Sequence, residues 1–216
     1  MVCPTLATAI SLISSAAHKP SIKAIKALKQ MMRYTQGKRS DGLHYIRTRE
    51  YGAHEFPQME YSCDSSFHDH VDLGKSTGGA VGRIAGMAAM YFRSGRSAHI
   101  TTCSAHAEKY QAAEAGKQIV YERQMCHELG FNMPKYILYM GNAAVIKSST
   151  GKLRPFSQQV KHYLLSERFL TQCVEAGFVE VVYKNTHDLD ADAMTKALPG
   201  PTLAQHARTL EYCTAA

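Results

Sequence analysis

The spacing of apolar positions along the chain alternates between the period of helices and that of strands. Helical spacing occurs in two opening segments, in a long run from about Ser104 to Leu129, and again toward the carboxyl end. Gly130 is a typical residue for ending the long helix. Strands are predicted at residues 43–52, 60–66, 78–86, 87–95, 99–103, 135–140 and 178–183. The chain after residue 54 is therefore expected to contain a hairpin-rich strand region, one long helix, and then strands and helices in alternation.

The second opening helix has two distinct faces. It follows Ser21, a suitable N-cap, and its apolar positions lie three or four residues apart at Ile22, Ile25, Leu28 and Met32. These positions predict a stripe that packs against the rest of the protein. The intervening positions form a basic face, which is either solvated or in contact with phosphates: Lys23, Lys26, Lys29 and Arg33.

Composition limits the possible classes of protein. With 216 residues and 45% hydrophobic content, the chain can bury one sizeable core, or one core with a small extra lobe. The formal net charge of +7 favours acidic partners such as nucleic acid. No apolar run reaches the roughly 18 residues of a membrane span, and the opening residues predict a helix rather than a signal peptide. The six scattered cysteines form no CxxC pair, which favours free thiols in an intracellular compartment, cytoplasmic or nuclear.

Three acidic residues stand near the ends of predicted elements. Asp64 closes the first strand of the central region, Glu108 lies in the first turns of the long helix, and Asp192 opens a short helix after the last strand. If the strands pair side by side, these carboxylates can converge on one cleft, where they repel one another unless they share cations. Oxygen ligands favour Mg²⁺ or Mn²⁺, and two such ions can promote phosphodiester hydrolysis. The alternative from the residues alone is that each acid caps a helix or interacts with its dipole.

Five short motifs occur in this chain in a fixed order: SCDSSFHDH, KSTGG, CSAHAEKY, YMGNAAV and ADAMTKALP. They resemble, in the same order, the segments YSDADWAGD, KSTSG, SSTEAEY, YCDNQSA and ADILTKALP of one family. That family is the ribonuclease H domain at the end of the Pol polyprotein of copia-type long-terminal-repeat retrotransposons. Residues 1–45 are also similar to the family's run from the end of the reverse transcriptase into the connection, so the resemblance covers nearly the whole chain.

The resemblance implies a fold and a set of site residues. The implied fold is α/β, with a ribonuclease H-like mixed sheet of about five strands flanked by helices and preceded by a small helical and hairpin lobe. The family's first aspartate falls on Asp64, its glutamate on Glu108 and its last aspartate on Asp192, whereas its third aspartate falls on Gly141. Residues 137–147 contain no acid that could replace it. The resemblance therefore implies two-metal hydrolysis of RNA–DNA hybrids, with binding of Mg²⁺ or Mn²⁺ weakened and activity weak or absent.

Further residues are expected to contact nucleic acid. Residues 75–77 either touch a nucleic-acid backbone or form a turn with a capping hydroxyl. The two arginines around Gly95 are either groove contacts or solvated side chains. A hybrid would be recognised through its shape and its backbone rather than through base edges. The full set of expected contacts is Lys75, Ser76, Thr77, Arg93, Arg96, Asn142, Lys161 and His162.

The expected organisation has two parts. Residues 1–53 are expected to be a remnant of the reverse transcriptase thumb and connection, and residues 54–216 the ribonuclease H-like domain. The expected partner is an RNA–DNA hybrid or other nucleic acid rather than a membrane, with the rest of a retroelement polyprotein as a further candidate. Three hypotheses remain open: an impaired hybrid endoribonuclease, a non-catalytic nucleic-acid-binding module, and a protein-interaction or structural remnant.

Overall fold

Helices and strands alternate in the computed structural model, which describes residues 3–46, 50–70, 74–150 and 161–212. Its strands are β1 Met59–His70, β2 Lys75–Ile84, β3 Ala89–Arg96, β4 Tyr136–Met140 and β5 Val179–Tyr183. Its α-helices are α1 Ala7–Ser15, α2 Ile22–Gly37, α3 Ser104–Glu128, α4 Ala143–Thr150, α5 Lys161–Glu175, α6 Asp192–Thr195 and α7 Gly200–Glu211. Short 3₁₀ turns occur at Pro4–Leu6 and Thr186–Asp188.

Strand β1 lies at the centre of a five-stranded sheet with the order β3-β2-β1-β4-β5. It pairs antiparallel with β2, and β2 pairs antiparallel with β3, because short connections join these consecutive strands. It pairs parallel with β4, and β4 pairs parallel with β5, because helices lie in the connections between them. The predicted α/β fold, a mixed five-stranded sheet flanked by helices, is confirmed.

The main core lies between the sheet and the long helix α3. Side chains on β4 alternate between the two faces of the sheet, and Tyr136, Leu138 and Met140 are all buried. Tyr61 of β1 and Ile119 of α3 belong to the same buried cluster. Burial of side chains of this size contributes roughly 1.5–3 kcal/mol each. This cluster therefore holds β1 and β4 side by side, and their ends carry the predicted site.

A second buried cluster joins α1, α6 and α7 to β2 and β3. Gly79 of β2 permits the close approach of α6, because a Cβ at this position would stand 2.5 Å from the Cβ of Met194 and 2.8 Å from the Cγ2 of Thr195. Such a separation is too short for any side chain without movement of α6. The glycine of the KSTGG motif is therefore part of what places α6 against the sheet.

The opening segment is attached to the carboxyl-terminal helix by buried polar contacts. The Thr5 hydroxyl donates a 2.7 Å hydrogen bond to Oε1 of Glu211, and the Thr8 hydroxyl donates a 2.7 Å hydrogen bond to the carbonyl of Ala193. The ammonium of Lys38 forms an ion pair with Oε2 of Glu211, which is buried. Residues on both sides of the predicted boundary after residue 53 thus share contacts, and the boundary itself stays a prediction.

Helix α2 differs from expectation in the face that it presents to the protein. The predicted N-cap is present, since the Ser21 hydroxyl accepts a hydrogen bond from the amide of Ala24 at 3.2 Å. The predicted apolar stripe is not buried: Ile22 and Met32 are 75% and 62% exposed. The half-buried positions are instead rotated around the helix, at Met31 and Tyr34 among others. The stripe was predicted wrongly because periodicity identifies an apolar face but not whether a partner covers it.

Two predicted strands are also absent from the described residues. Residues 41–46 and 50–52 form no strand, so the hairpin expected in the opening lobe is not observed there, and residues 47–49 lie outside the described part of the chain. Residues 99–103 are likewise irregular. Among their described residues, neither segment forms a ladder with a neighbouring strand, and alternation of residue types alone does not supply one. Within the described ranges, no helix is long and apolar enough to cross a bilayer.

Candidate active site

Asp64 and Gly141 are neighbours at the place where the pairing of β1 with β4 ends. The last pair in the parallel register is Cys63 with Met140, and Asp64 and Gly141 are the next residue on each strand. Strand β1 was predicted to end at Asp64, but it continues to His70 in antiparallel pairing with β2. The register therefore places Gly141 beside Asp64, whose side chain is only 13% exposed.

Helix α6 brings two further polar groups to Asp64. The hydroxyl of Thr195 donates a 2.5 Å hydrogen bond to Oδ2 of Asp64. The ammonium of Lys196 lies 3.7 Å from the same oxygen and also forms an ion pair with Oδ1 of Asp192. Asp192 begins α6 and is buried, and Lys196 follows four residues later. Asp64 and Asp192 thus share one lysine.

Glu108 approaches the same cluster from the second turn of α3. Asn142 donates a 3.2 Å hydrogen bond to Oε1 of Glu108, and the Asn142 side-chain oxygen accepts from the amides of Ala144 and Val145 at the start of α4. Burial raises the pKa of Glu108, the hydrogen bond from Asn142 opposes this, and the charge of Asp64 raises the pKa further, for a net increase. Through Asn142, which follows Gly141, Glu108 is connected to the end of β4.

The space at Gly141 is limited on the side of the 3₁₀ turn. A Cβ at this position would stand 3.0 Å from Oγ1 of Thr186 and 3.9 Å from Cδ2 of Leu189. A contact of 3.0 Å requires the neighbouring side chain to shift by a few tenths of an ångström. A side chain at position 141 would therefore meet Thr186 before it could reach the rest of the site.

The carboxylates assembled here have the oxygen chemistry of Mg²⁺ or Mn²⁺ ligands, but their arrangement does not fit a two-metal centre. Asp64 and Asp192 are both directed to the ammonium of Lys196, and Glu108 is bound by an amide. Among the side chains that the structure describes, no group of three or more His, Cys, Asp or Glu residues is placed to hold a metal ion. Each carboxylate of the cluster already interacts with a hydrogen-bond donor or an ammonium group of the protein itself.

A buried ion pair between Arg83 and Asp190 lies next to the carboxylate cluster. Asp190, two residues before Asp192, lies 3.0 Å from a guanidinium nitrogen of Arg83 and accepts a 2.7 Å hydrogen bond from the hydroxyl of Thr209. Arg83 also lies 3.3 Å from Oε2 of Glu60 on β1. These contacts connect the segment before α6 with β1, β2 and α7, and so fix where Asp192 stands.

The residues expected to contact nucleic acid divide into exposed and internal ones. Arg93 and Arg96 are exposed on β3, and the register aligns Ser94, between them, with Gly79 and hence with Asp64 two strands away. Ser76 and Thr77 are buried: the hydroxyl of Ser76 bonds to that of Thr101, and Thr77 donates to Asp69. Their side chains are therefore engaged within the protein.

Four of the residues expected to contact nucleic acid remain: two form hydrogen bonds within the protein, and two have side chains that the structure does not describe. Lys75 donates a 2.9 Å hydrogen bond to the carbonyl of Ala98, and Asn142 bonds to Glu108 as described above. Lys161 and His162 lie at the start of α5, but their side chains lie outside the described part of the structure. The roles of all these residues stay predictions.

Sequence reasoning missed Lys196 and Thr195. The signal was present, because Lys196 stands four residues after Asp192 at the start of a helix, and residues at this spacing share one helix face. Thr195 carried no such signal. Its bond to Asp64 joins residues 131 positions apart, and only the packing of α6 on the sheet brings them together.

Comparison with known proteins identifies the relatives of this chain, although no family model matches it. It is 24% identical over 201 residues, or 92% of its length, to the retrovirus-related Pol polyprotein from transposon TNT 1-94 of Nicotiana tabacum. It is 24% identical over 90% of its length to the corresponding polyproteins from transposons RE1 and RE2 of Arabidopsis thaliana. The chain is thus similar to retrovirus-related Pol polyproteins of transposons over about nine tenths of its length. The resemblance predicted from the motifs is thereby confirmed.

The Pol-related chain spans only 13–14% of the length of these relatives. Solved structures similar to it include the amino-terminal RNase H domain of Rv2228c from Mycobacterium tuberculosis, fused to maltose-binding protein. The two sequences are 13% identical, the match covers 71% of this chain and 98% of that chain, and the TM-score is 0.47. LC11 RNase H1 in complex with an RNA/DNA hybrid matches at 12% identity, 64% of this chain, 94% of that chain and a TM-score of 0.48. Prototype foamy virus protease–reverse transcriptase matches at 11% identity, 79% of this chain, 22% of that chain and a TM-score of 0.44.

Proposed function

We propose that this chain is a ribonuclease H-like module that binds RNA–DNA hybrids and hydrolyses their RNA strand weakly or not at all. The observation that carries the proposal is that Asp64 and Asp192 pair with one lysine, with Gly141 beside Asp64. Glu108 accepts a hydrogen bond from Asn142, the residue that follows Gly141. The position of Gly141 corresponds to the third acid of the resembling family. Binding is retained in this proposal because the fold and the basic surface do not depend on that acid.

The loss of catalysis follows from the chemistry of the site. Activation of water for phosphodiester hydrolysis requires cations held in a defined position by several carboxylate oxygens. Glycine supplies no side-chain oxygen, and two of the three remaining carboxylates are already paired with Lys196. Because displacement of reacting groups by about 1 Å can cost on the order of 100-fold in rate, loss of a ligand is expected to cost more.

The binding surface is expected to include β3 and its neighbours. Arg93 and Arg96 are exposed on an edge strand whose register aligns it with Asp64, and the chain carries a formal net charge of +7. Side chains of this type contact phosphates and thereby position a duplex without reading its sequence. The proposed partner is therefore the backbone of a hybrid duplex, and a retroelement polyprotein is the proposed wider context.

Binding can be tested by fluorescence anisotropy with a labelled hybrid in the presence of EDTA, from about 50 to 200 mM salt. The natural chain should bind with a steep salt dependence. Combined Arg93→Ala and Arg96→Ala substitutions should reduce the slope by roughly two, about one per lost phosphate contact. Lys135→Ala is the matched control, because Lys135 is exposed and precedes β4, at the opposite end of that strand from Gly141. Absence of binding at the lowest salt would contradict the proposal.

Catalysis is tested separately with the same hybrid in Mg²⁺ and in Mn²⁺. We expect no cleavage, or only slow cleavage, by the natural chain, and any residual cleavage should disappear in Asp64→Asn. Rapid cleavage by the natural chain would mean that the site functions without an acid at position 141 and would contradict the proposed impairment.

A second candidate function, protein interaction, is favoured by one observation. The apolar stripe of α2 is exposed, with Ile22 at 75% and Met32 at 62%. Side chains of this kind are common at protein interfaces. Failure of hybrid binding, together with unchanged folding, would make this second function the better account of the chain.

A further inference from the structure

The carboxylate cluster contains a cation that belongs to the protein. We propose that the ammonium of Lys196 is the permanent counterion of Asp64 and Asp192, holding the cluster together without a divalent metal and competing with any metal that enters. This proposal deepens the proposed function and rests on the same cluster. It adds a positioning residue that determines how the site responds to metal ions.

The geometry of Lys196 supports this role. Its ammonium lies 3.7 Å from Oδ2 of Asp64 and pairs directly with Oδ1 of Asp192, so one positive charge bridges acids from β1 and α6. The two carboxylate side chains are only 13% and 12% exposed. Without Lys196, two poorly solvated negative charges would face each other, which is unfavourable unless another cation takes its place.

The Lys196 side chain is 40% exposed. It lines a cavity of about 360 Å³ between the opening helices and α6, together with Thr8, Leu12, Met31 and Leu198. An ordinary exposed ion pair contributes little, about 0–1 kcal/mol, because both side chains remain mobile. Lys196 differs from such a pair because its charge is shared by two acids whose side chains are largely buried.

The remaining donors complete the cluster. Thr195 bonds to Asp64 and Asn142 bonds to Glu108, so each of the three carboxylates has a donor from the chain. With three acids and one ammonium, the formal charge of the cluster is −2, whereas an acid at position 141 would make it −3. A divalent ion therefore meets both a smaller negative charge and a resident cation in the position between Asp64 and Asp192.

The test is titration of Mn²⁺ into the free protein. Calorimetry and the electron paramagnetic resonance signal of unbound Mn²⁺ measure the binding affinity. Lys196→Met should bind Mn²⁺ about tenfold more tightly than the natural chain, equal to ~1.4 kcal/mol. Lys196→Arg restores the charge and should return the affinity toward that of the natural chain. Lys135→Met is the matched control, since it removes one lysine charge at the far end of β4 and should leave the affinity unchanged. Equal or weaker Mn²⁺ binding by Lys196→Met would overturn the proposal.

Thermal unfolding tests the proposal independently, because the melting temperature can be measured on the natural chain as well as on the variant. The natural chain should have the same melting temperature in EDTA and in millimolar Mn²⁺, whereas Lys196→Met should be less stable in EDTA and should regain stability with Mn²⁺. A natural chain that is strongly stabilised by Mn²⁺ would contradict the proposal even if no variant folds. These measurements contain no nucleic acid, so failure of hybrid binding would affect the proposed function and leave this inference standing.

Discussion

The backbone at Gly141 lies so close to Thr186 that a Cβ at position 141 would stand 3.0 Å from the hydroxyl oxygen of the threonine. A carboxylate at position 141 therefore requires Thr186 to shift by a few tenths of an ångström. Gly141→Asp alone is expected to restore little cleavage, because Thr186 must move before the new carboxylate can turn toward Asp64.

The combination of Gly141→Asp with Thr186→Ala is expected to cleave an RNA–DNA hybrid in Mn²⁺ faster than Gly141→Asp alone, by about tenfold or more, since ångström-scale placement has effects of this size. Thr186→Ala alone is the control and should remain as inactive as the natural chain. Initial rates with a labelled hybrid measure the effect. Equal rates for the single and double variants would show that Thr186 does not restrict the site.

The close packing of α6 on β2 makes a second prediction. Gly79→Ala would place a Cβ 2.5 Å from that of Met194, so α6 must move away from the sheet and the bond from Thr195 to Asp64 should be lost. Overpacking of this kind costs about 1–3 kcal/mol. Gly95→Ala on the neighbouring strand is the matched control, because a Cβ there meets nothing within 4 Å. The free energies of unfolding of the two variants, measured in urea, should differ by at least about 1 kcal/mol.

The ion pair between Lys38 and the buried Glu211 attaches the opening segment to α7. Lys38→Met leaves that carboxylate without its main partner and is expected to destabilise the protein by about 3 kcal/mol. Urea unfolding monitored by circular dichroism measures the loss. A loss below about 0.5 kcal/mol would mean that residues 3–38 contribute little to the folding of the rest, as a separate remnant would.

The ion pair between Lys38 and Glu211 predicts that the stability of the protein depends on pH in the alkaline range. Burial lowers the pKa of Lys38, but the hydrogen bond and charge of Glu211 raise it more, so the net shift is upward. Because the folded pKa lies above the unfolded one, the contribution of the pair is complete below the ordinary lysine pKa of about 10.4 and is lost as the pH rises through the folded value. The stability difference between the natural chain and Lys38→Met should therefore shrink only above about pH 10.4.

Exposure of the α2 stripe predicts that its residues contribute little to stability. Ile22→Ala and Met32→Ala should change the free energy of unfolding by less than about 0.5 kcal/mol. Ile119→Ala, in the main core, should cost about 2–5 kcal/mol. A large cost at Ile22 or Met32 would indicate that the stripe is covered in solution, for example by another protein.

Several features of the molecule could be predicted from the sequence because they depend on neighbouring residues alone. The limits of α3 follow from helical spacing that ends at Gly130, and the hairpin of β2 and β3 from two apolar runs separated near Gly86. The identity of the residue at position 141 is likewise a fact of the sequence, and the motif match predicts that an acid is absent there. The resemblance also led to the five-stranded sheet, whose order is observed.

Other features were decided by the tertiary structure, because they depend on groups that are distant in sequence. The sharing of Lys196 by Asp64 and Asp192 arises only when Gly79 allows α6 to pack on β2. The closeness of Gly141 to Thr186 and the burial of Ser76 and Thr77 likewise depend on residues that are not adjacent in sequence. Periodicity along a chain reports which residues share a face, as in α2, but not what lies opposite that face. The sequence by itself therefore determined most of the elements and the glycine at position 141, and the packing decided that Lys196 pairs with Asp64 and Asp192.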